Sequence, residues 1–347
     1  LYSTLVLEIA RNITKDPGSG LIVGKIAWVL GWVVNLFFNF VYNHITQANC
    51  LGISIIFLTI FTRCLLLPFA YKSQKSTFAM QAIQPELQAI QAKYKNQMSD
   101  PEIQKKMNLE TQKLYAKHNV NPLSGCLPLL IQLPIFYGLY RIMQNPFYYI
   151  HIIGNIYNSI STTILENAGS NESVMALVTE FATNAGLKAG DTVDVSLFNR
   201  LLNILSREQI QQFANLMPNT DIAALYEQKT SIETFMGLNL TETIGFTLSP
   251  KLLMPILSGL TTWFSTWMMT RKNKTTDPAM QSQQRVMSIT MPLMMAWITT
   301  SCPGGIGIYW ITSNCFMIVQ QFILMKHFEK KKAESDTKSS KKSNTKK

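Results

Sequence analysis

Residues 53–70 read ISIIFLTIFTRCLLLPFA, an apolar run with one arginine, Arg63, well inside it. At about 1.5 Å of rise per residue, such a run coiled as a helix nearly crosses a hydrocarbon core of roughly 30 Å. Arg63 then sits at membrane depth. An arginine at the centre of a spanning helix costs roughly 2.5 to 3.5 kcal/mol on insertion scales, so such residues face a bundle interior or a wetted cavity. Snorkelling to the headgroups is hard from this position, and no other long apolar run in the chain contains an Asp or Glu to pair with it. Arg63 is therefore a candidate functional cation.

Outward from this run the chain is 347 residues long, 47% hydrophobic and only 15% charged, against roughly 25% charged in a typical soluble domain. Further apolar runs cover 122–143, 248–270, 286–302 and 306–325. The expected fold class is an all-α polytopic membrane protein with five transmembrane helices. Residues 71–121 hold eight Lys/Arg and four acids, 271–285 four and one, and the tail 326–347 nine and three, whereas 142–247 hold four Lys/Arg and ten acids. Basic segments belong on the cytoplasmic side. The alternation predicts residues 1–20 as an outer segment, the N-terminus outside and the C-terminus in the cytoplasm.

Between the spans, residues 21–45 carry Asn35, Asn39 and Asn43 as one polar stripe beside a broad apolar face. They are expected to lie along the outer interface as an amphipathic helix feeding the first span. Residues 71–121 predict a basic helical hairpin, with Phe78, Ile83, Leu87, Ile90 and Tyr94 on one arm and Ile103, Met107, Leu114 and Tyr115 on the other. Ser99, Pro101 and Glu102 suit the start of the second arm. Lys93, Lys95, Lys105 and Lys106 then face water or anionic phospholipid. Residues 147–236 suggest an extracytoplasmic inserted domain of short helices. The tail 326–347, with Lys330, Lys331, Lys332, Lys341 and Lys342, is expected to be disordered and suited to ribosomal RNA phosphates or anionic lipid.

No catalytic cluster emerges. The histidines at 44, 118, 151 and 327 fall in separate segments, and no phosphate-binding glycine loop or metal spacing is present, so neither an enzyme nor a cofactor is expected. What the spans offer is Arg63 with Thr59, Thr62, Gln132, Ser258, Thr262, Ser265, Ser313, Asn314 and Gln320, the makings of a polar groove. Such a groove attracts acidic residues of an incoming chain, shortens the apolar distance they cross, and releases the helix sideways into lipid. An anion-selective transporter or channel and a non-inserting membrane assembly factor remain as alternatives.

Three stretches carry a resemblance. They are IIFLTIFTRCLLLPFAYKSQKS, with Arg63 and Pro68; NPLSGCLPLLIQLPIFYGLYR, with Pro128, Gln132 and Pro134; and CPGGIGIYWITSNCFMIVQQ, with Tyr309, Trp310, Ser313, Asn314, Gln320 and Gln321. In this order, with the basic hairpin between the first two, the sequence resembles the YidC/Oxa/Alb membrane-protein insertases of the Gram-positive bacterial type. The resemblance implies a bacterial cell-membrane insertase and folding chaperone working without nucleotide hydrolysis. It implies substrate contact by Arg63, a hairpin needed for insertion, and a ribosome-binding tail. Nascent membrane proteins, the ribosome and the Sec translocon are the partners it implies. One departure is the stretch 147–236, where the family usually has a short loop.

Overall fold

The computed structural model describes residues 23–94, 100–121, 127–187, 192–246, 248–270, 282 and 285–344. Residues 1–20, most of 271–285, and the expected start of the second span at 122–126 lie outside them. The described residues are overwhelmingly helical. In chain order they form α1 (Val23–His44), α2 (Cys50–Leu65), α3 (Leu67–Ala82), α4 (Gln84–Tyr94), α5 (Pro101–Lys117), α6 (Leu127–Gln144), α7 (Pro146–Tyr149), α8 (His151–Ala168), α9 (Glu172–Asn184), α10 (Val195–Leu202), α11 (Arg207–Leu216) and α12 (Ile222–Glu233). After the two-residue strands β1 (Thr234–Phe235) and β2 (Leu238–Asn239) come α13 (Leu253–Thr270), a π-helical turn (Val286–Thr290), α14 (Met291–Thr300) and α15 (Gly304–Asn344).

These elements divide into two compact units. The first comprises the described residues up to Leu58 with Pro134–Met254 and Thr299–Tyr309, and the second comprises Thr59–Leu133, Pro255–Ile298 and the described residues from Trp310. By length and composition, Gly24–His44 and Gly304–Lys330 can cross a membrane, and a third crossing follows if Cys50–Leu65 and Leu67–Met80 form one bent span. Helices α6 and α13, the second and third expected spans, are 18 residues each. Gln, Tyr and Arg in α6, and Ser, Thr and Trp in α13, hold down their hydropathy. Val286–Thr300 is apolar but shorter.

In the first unit α8 is the central rod. Its Ile153, Ile156, Tyr157, Ile160 and Ile164 form one buried stripe at the three-to-four-residue spacing of a helix face. Phe181 of α9, Phe198 and Leu202 of α10, and Phe213 of α11 close over this core, with Phe213 edge-on to both Phe181 and Phe198. Caps fix where the helices begin: Asn171 accepts from Ser173 N, Asp194 from Leu197 N, and Ser206 with Gln209 completes a capping box. Beside α8, Lys229 and Glu233 form a buried ion pair at 2.9 Å.

Helix α1 covers the stretch expected to form an interfacial helix. In its polar stripe Asn43 is exposed, while Asn35 Oδ1 accepts from the backbone N–H of His151 at 3.0 Å, one of the first-turn donors that a helix leaves without an internal partner. Trp28, Trp32, Leu36 and Phe40 are exposed as well. The outward face is thus apolar, and α1 has the length and hydropathy of a span as well as those of an interfacial helix.

In the second unit, the expected continuous span 53–70 breaks at Leu66, with α2 and α3 bent by 56°. Pro68 explains the bend, because it has no N–H for the Cys64 carbonyl and its ring crowds that carbonyl. Helices α4 and α5 pack through Ile83, Leu87, Leu114 and Val120. Lys93–Glu110 and Lys117–Glu86 pairs at 2.7 and 3.4 Å tie opposite ends of the two helices in antiparallel register. The cap of α5 is Asp100, whose side chain accepts from Glu102 N at 2.8 Å; Ser99, the expected cap, lies outside the described residues. At the other end, α15 continues to Asn344, so the tail expected to be disordered is helical as far as it is described, because Lys, Glu and Ala are good helix formers once a nucleus precedes them.

Candidate functional site

Helix α2 carries Arg63 one turn after Thr59, and both face inward: Thr59 is fully buried and Arg63 half-buried. Arg63 Nε donates to Ser313 Oγ at 2.8 Å, and Nη2 donates to Gln132 Oε1 at 2.9 Å and to the same serine. Three helices thus converge on one guanidinium. Ser313 and Gln132 are buried, and both bring neutral acceptors that stabilise a cation without cancelling its charge.

The next residue along α15, Asn314, organises a second cluster. Its amide hydrogen-bonds with the hydroxyls of Thr261 and Thr262 at 3.1 and 2.8 Å, and Trp310 Nε1 donates to Thr262 Oγ1 at 2.9 Å. Thr262 and Thr266 each donate to the carbonyl one turn back, at 2.7 Å. Thr62 likewise donates to Thr59 O at 2.9 Å. Such hydroxyls spend their O–H on their own helix and turn only lone pairs to neighbours.

The structure therefore brings Arg63, Gln132 and Ser313 into one cluster and Thr262 and Asn314 into another. Thr59, Ser258 and Ser265 are buried. Gln320 lies roughly 10 Å farther along the α15 axis from Ser313 and is half-buried against a separate cavity. Most of these side chains are packed and paired with one another. Trp310, Thr261 and Thr266 were missing from the expected set. The signal for Thr266 was present, since 258, 262 and 266 recur every four residues on one helix face.

Around this polar interior the second unit is apolar outside. Leu260, Trp263, Phe264 and Trp267 of α13, Leu293 and Trp297 of α14, and Val319, Phe322 and Ile323 of α15 are exposed. A soluble domain has the opposite arrangement, and exposed apolar surface this continuous marks an interaction with lipid or another protein.

Among the hairpin lysines, Lys93 is tied to Glu110, and Tyr94 also donates to that carboxylate at 2.8 Å. The hydrogen bonds from Lys93 and Tyr94 hold the Glu110 carboxyl below its ordinary value. Lys105 and Lys106 are exposed, and Lys95 lies outside the described residues. In the tail, Lys330 is exposed, and Lys331, Lys332, Lys341 and Lys342 lie within α15.

Comparison with known proteins places this geometry in context. A family model described as "60Kd inner membrane protein" matches residues 40–332. The "Membrane protein insertase YidC" of Oceanobacillus iheyensis is 28% identical over 284 residues, covering 81% of this chain and 77% of the relative. That of Caldanaerobacter subterraneus is 27% identical over 313 residues, covering 90% and 100%. The "Membrane protein insertase MisCA" of Bacillus subtilis is 26% identical over 273 residues, covering 79% and 69%.

Proposed function

Because the chain belongs to the YidC/Oxa/Alb family of membrane proteins, we propose that it is a membrane protein insertase that receives nascent membrane segments at Arg63 and releases them sideways into lipid. The observation that carries this reading is the Arg63 cluster. A cation lies among spans that contain no Asp or Glu, and it is held by the neutral acceptors Ser313 and Gln132. A carboxylate on an incoming segment competes well against them. At 4 Å and an effective dielectric of 20 an opposite charge is worth about 4 kcal/mol, and a carboxylate also accepts the guanidinium's hydrogen bonds in place of the two neutral acceptors.

In this reading the acidic part of the segment exchanges with Ser313 and Gln132, and the apolar part slides along the exposed Leu, Phe and Trp surface. The hydrophobicity of the segment then holds it in lipid, so no nucleotide hydrolysis or cofactor is needed. The hairpin α4–α5 lies on the cytoplasmic side with Lys105 and Lys106 toward anionic headgroups. The lysines beyond Lys326 contact the ribosome and its RNA, and larger substrates are handled beside the Sec translocon. The N-terminus is outside, the C-terminus cytoplasmic, and 147–236 forms an outer domain.

Photocrosslinkers placed at position 63 and at Thr59 test this with stalled, ribosome-bound nascent chains carrying one short membrane segment. Crosslinks that disappear on release of the segment are expected. Arg63→Lys, which keeps the cation, retains more insertion than Arg63→Glu. Absence of crosslinks with ribosomes docked, or equal behaviour of the two substitutions, removes Arg63 from the path. Solute flux through the purified protein in sealed vesicles would favour transport instead.

A further inference from the structure

Beside the 56° bend between α2 and α3 lies a cavity of about 600 Å³ in the second unit, open to the exterior because Val319 and Ile323 in its wall are exposed. Leu67, Pro68 and Tyr71 line it from the bend, and Val319, Ile323 and Gln320 line it from α15. Gln320 is the only amide in an otherwise largely apolar wall. The volume falls within the roughly 300 to 1,000 Å³ in which proteins hold small apolar ligands.

One end of the cavity is marked by rings. Tyr71 packs on Phe328 with centroids 5.3 Å apart, and Phe78 also packs on Phe328 at 5.0 Å. At that level the chain turns basic. Lys72 follows Tyr71 and is exposed, and the Lys326 ammonium stands 4.4 Å from the centre of the Phe322 ring. Between Lys326 and Lys332 the sequence has one acid, Glu329. An apolar slot that ends in a basic collar complements a molecule with a hydrocarbon chain and an anionic head.

We propose that this cavity seats one acyl chain of an anionic phospholipid, with the lipid phosphate held by Lys72 and Lys326. The bound chain fills the space opened by Pro68 and braces α15 against the bend. The site borders the Arg63 cluster at Cys64 but is not lined by Arg63, Gln132 or Ser313, and it does not depend on the insertase reading.

The test uses the full chain in nanodiscs containing phosphatidylglycerol with a diazirine in its acyl chain, set against the phosphatidylcholine probe of the same chain length. After irradiation, labelled peptides are identified by mass spectrometry. The anionic probe is expected to label 67–71 and 319–323 preferentially, by roughly fivefold for each lysine engaged. Val319→Trp, which fills the cavity, should remove most of that labelling. Lys72→Gln with Lys326→Gln should leave the two probes equal. The charge variants decide the matter where Val319→Trp does not fold, as judged by its elution on gel filtration. Equal labelling by both probes in the unaltered chain would mean ordinary surrounding lipid and would overturn the site. Displacement of the probe by a ribosome-bound nascent segment would assign the cavity to peptide and overturn it too.

Discussion

The helices around α8 and the helices around Arg63 are built on opposite plans. In the first, aliphatic and aromatic side chains are buried together, and Phe198 and Phe213 are fully enclosed. In the second, Ser258, Thr262, Ser313 and Asn314 are buried while Trp263, Leu293 and Phe322 face outward. The difference identifies the surroundings of each. Burial of apolar surface drives assembly only where water is the alternative. Where lipid is the alternative, helices associate through small residues and interhelical hydrogen bonds. Gly259, whose added Cβ would meet Ala296 at 3.2 Å, and the Asn314–Thr262 contact are of that kind.

The largest test of this contrast is the buried pair. Tyr157 donates to Glu233 Oε1 at 2.8 Å and Lys229 to its other oxygen, with Lys229 and Glu233 3% and 0% exposed. Glu233→Ala leaves a buried ammonium unpaired and should cost about 3–5 kcal/mol, whereas Lys229→Met with Glu233→Leu should be neutral or stabilising by about 1–4 kcal/mol. Hydrogen exchange across α8–α12 reads both.

Close behind it, Phe213→Ala should cost about 3–5 kcal/mol in the same helices. Leu260→Ala, at a position 55% exposed, should change the thermal midpoint of the protein in nanodiscs by far less. Equal effects would break the comparison. Within the polar interior, Ser313→Ala should lower stability by about 1.5–3 kcal/mol, and charge-conserving Arg63→Lys should not be equivalent, because lysine lacks the planar fork.

The pH responses are smaller and opposite in direction. Burial, then the charge of Glu233, pushes the Tyr157 hydroxyl well above its ordinary value, and the same causes push Tyr226 up to about 12. A raised value means stability that is complete below the ordinary tyrosine value of about 10 and lost as pH rises through the folded value. The α8–α12 helices should therefore loosen between about pH 10 and about 12, followed by far-ultraviolet circular dichroism. In the hairpin, Glu110 is held low by Lys93 and Tyr94, so its contribution is present above about pH 4.3 and fades as pH falls further. Because the pair is exposed, the acid effect should be the smallest, visible as faster exchange in α4 and α5.

Much of the candidate site was legible because membrane depth makes polar residues conspicuous. Arg63, Gln132, Ser313 and Asn314 stand out in apolar runs. Lys229 and Glu233 did not stand out, since an ion pair one turn apart on a short helix ordinarily faces water. Only the packing of α8 against α12 buries it. The bond of Asn35 to His151 was not legible for the related reason that a polar stripe looks the same whether it meets water or the first-turn N–H of another helix.

The sequence by itself determined that this is a helical membrane protein of a recognisable family, because apolar length and charge asymmetry act locally along the chain. It also determined that Arg63 lies inside an apolar run. Tertiary structure decided which partners meet: Ser313 and Gln132 at the guanidinium, Asn314 and Trp310 at Thr262, and Gln320 apart from both against the cavity. It also turned one expected span into two helices at Pro68. Periodicity states which face a residue occupies, but the neighbour on that face is set by helix crossing and bend, which depend on side chains distant in the chain.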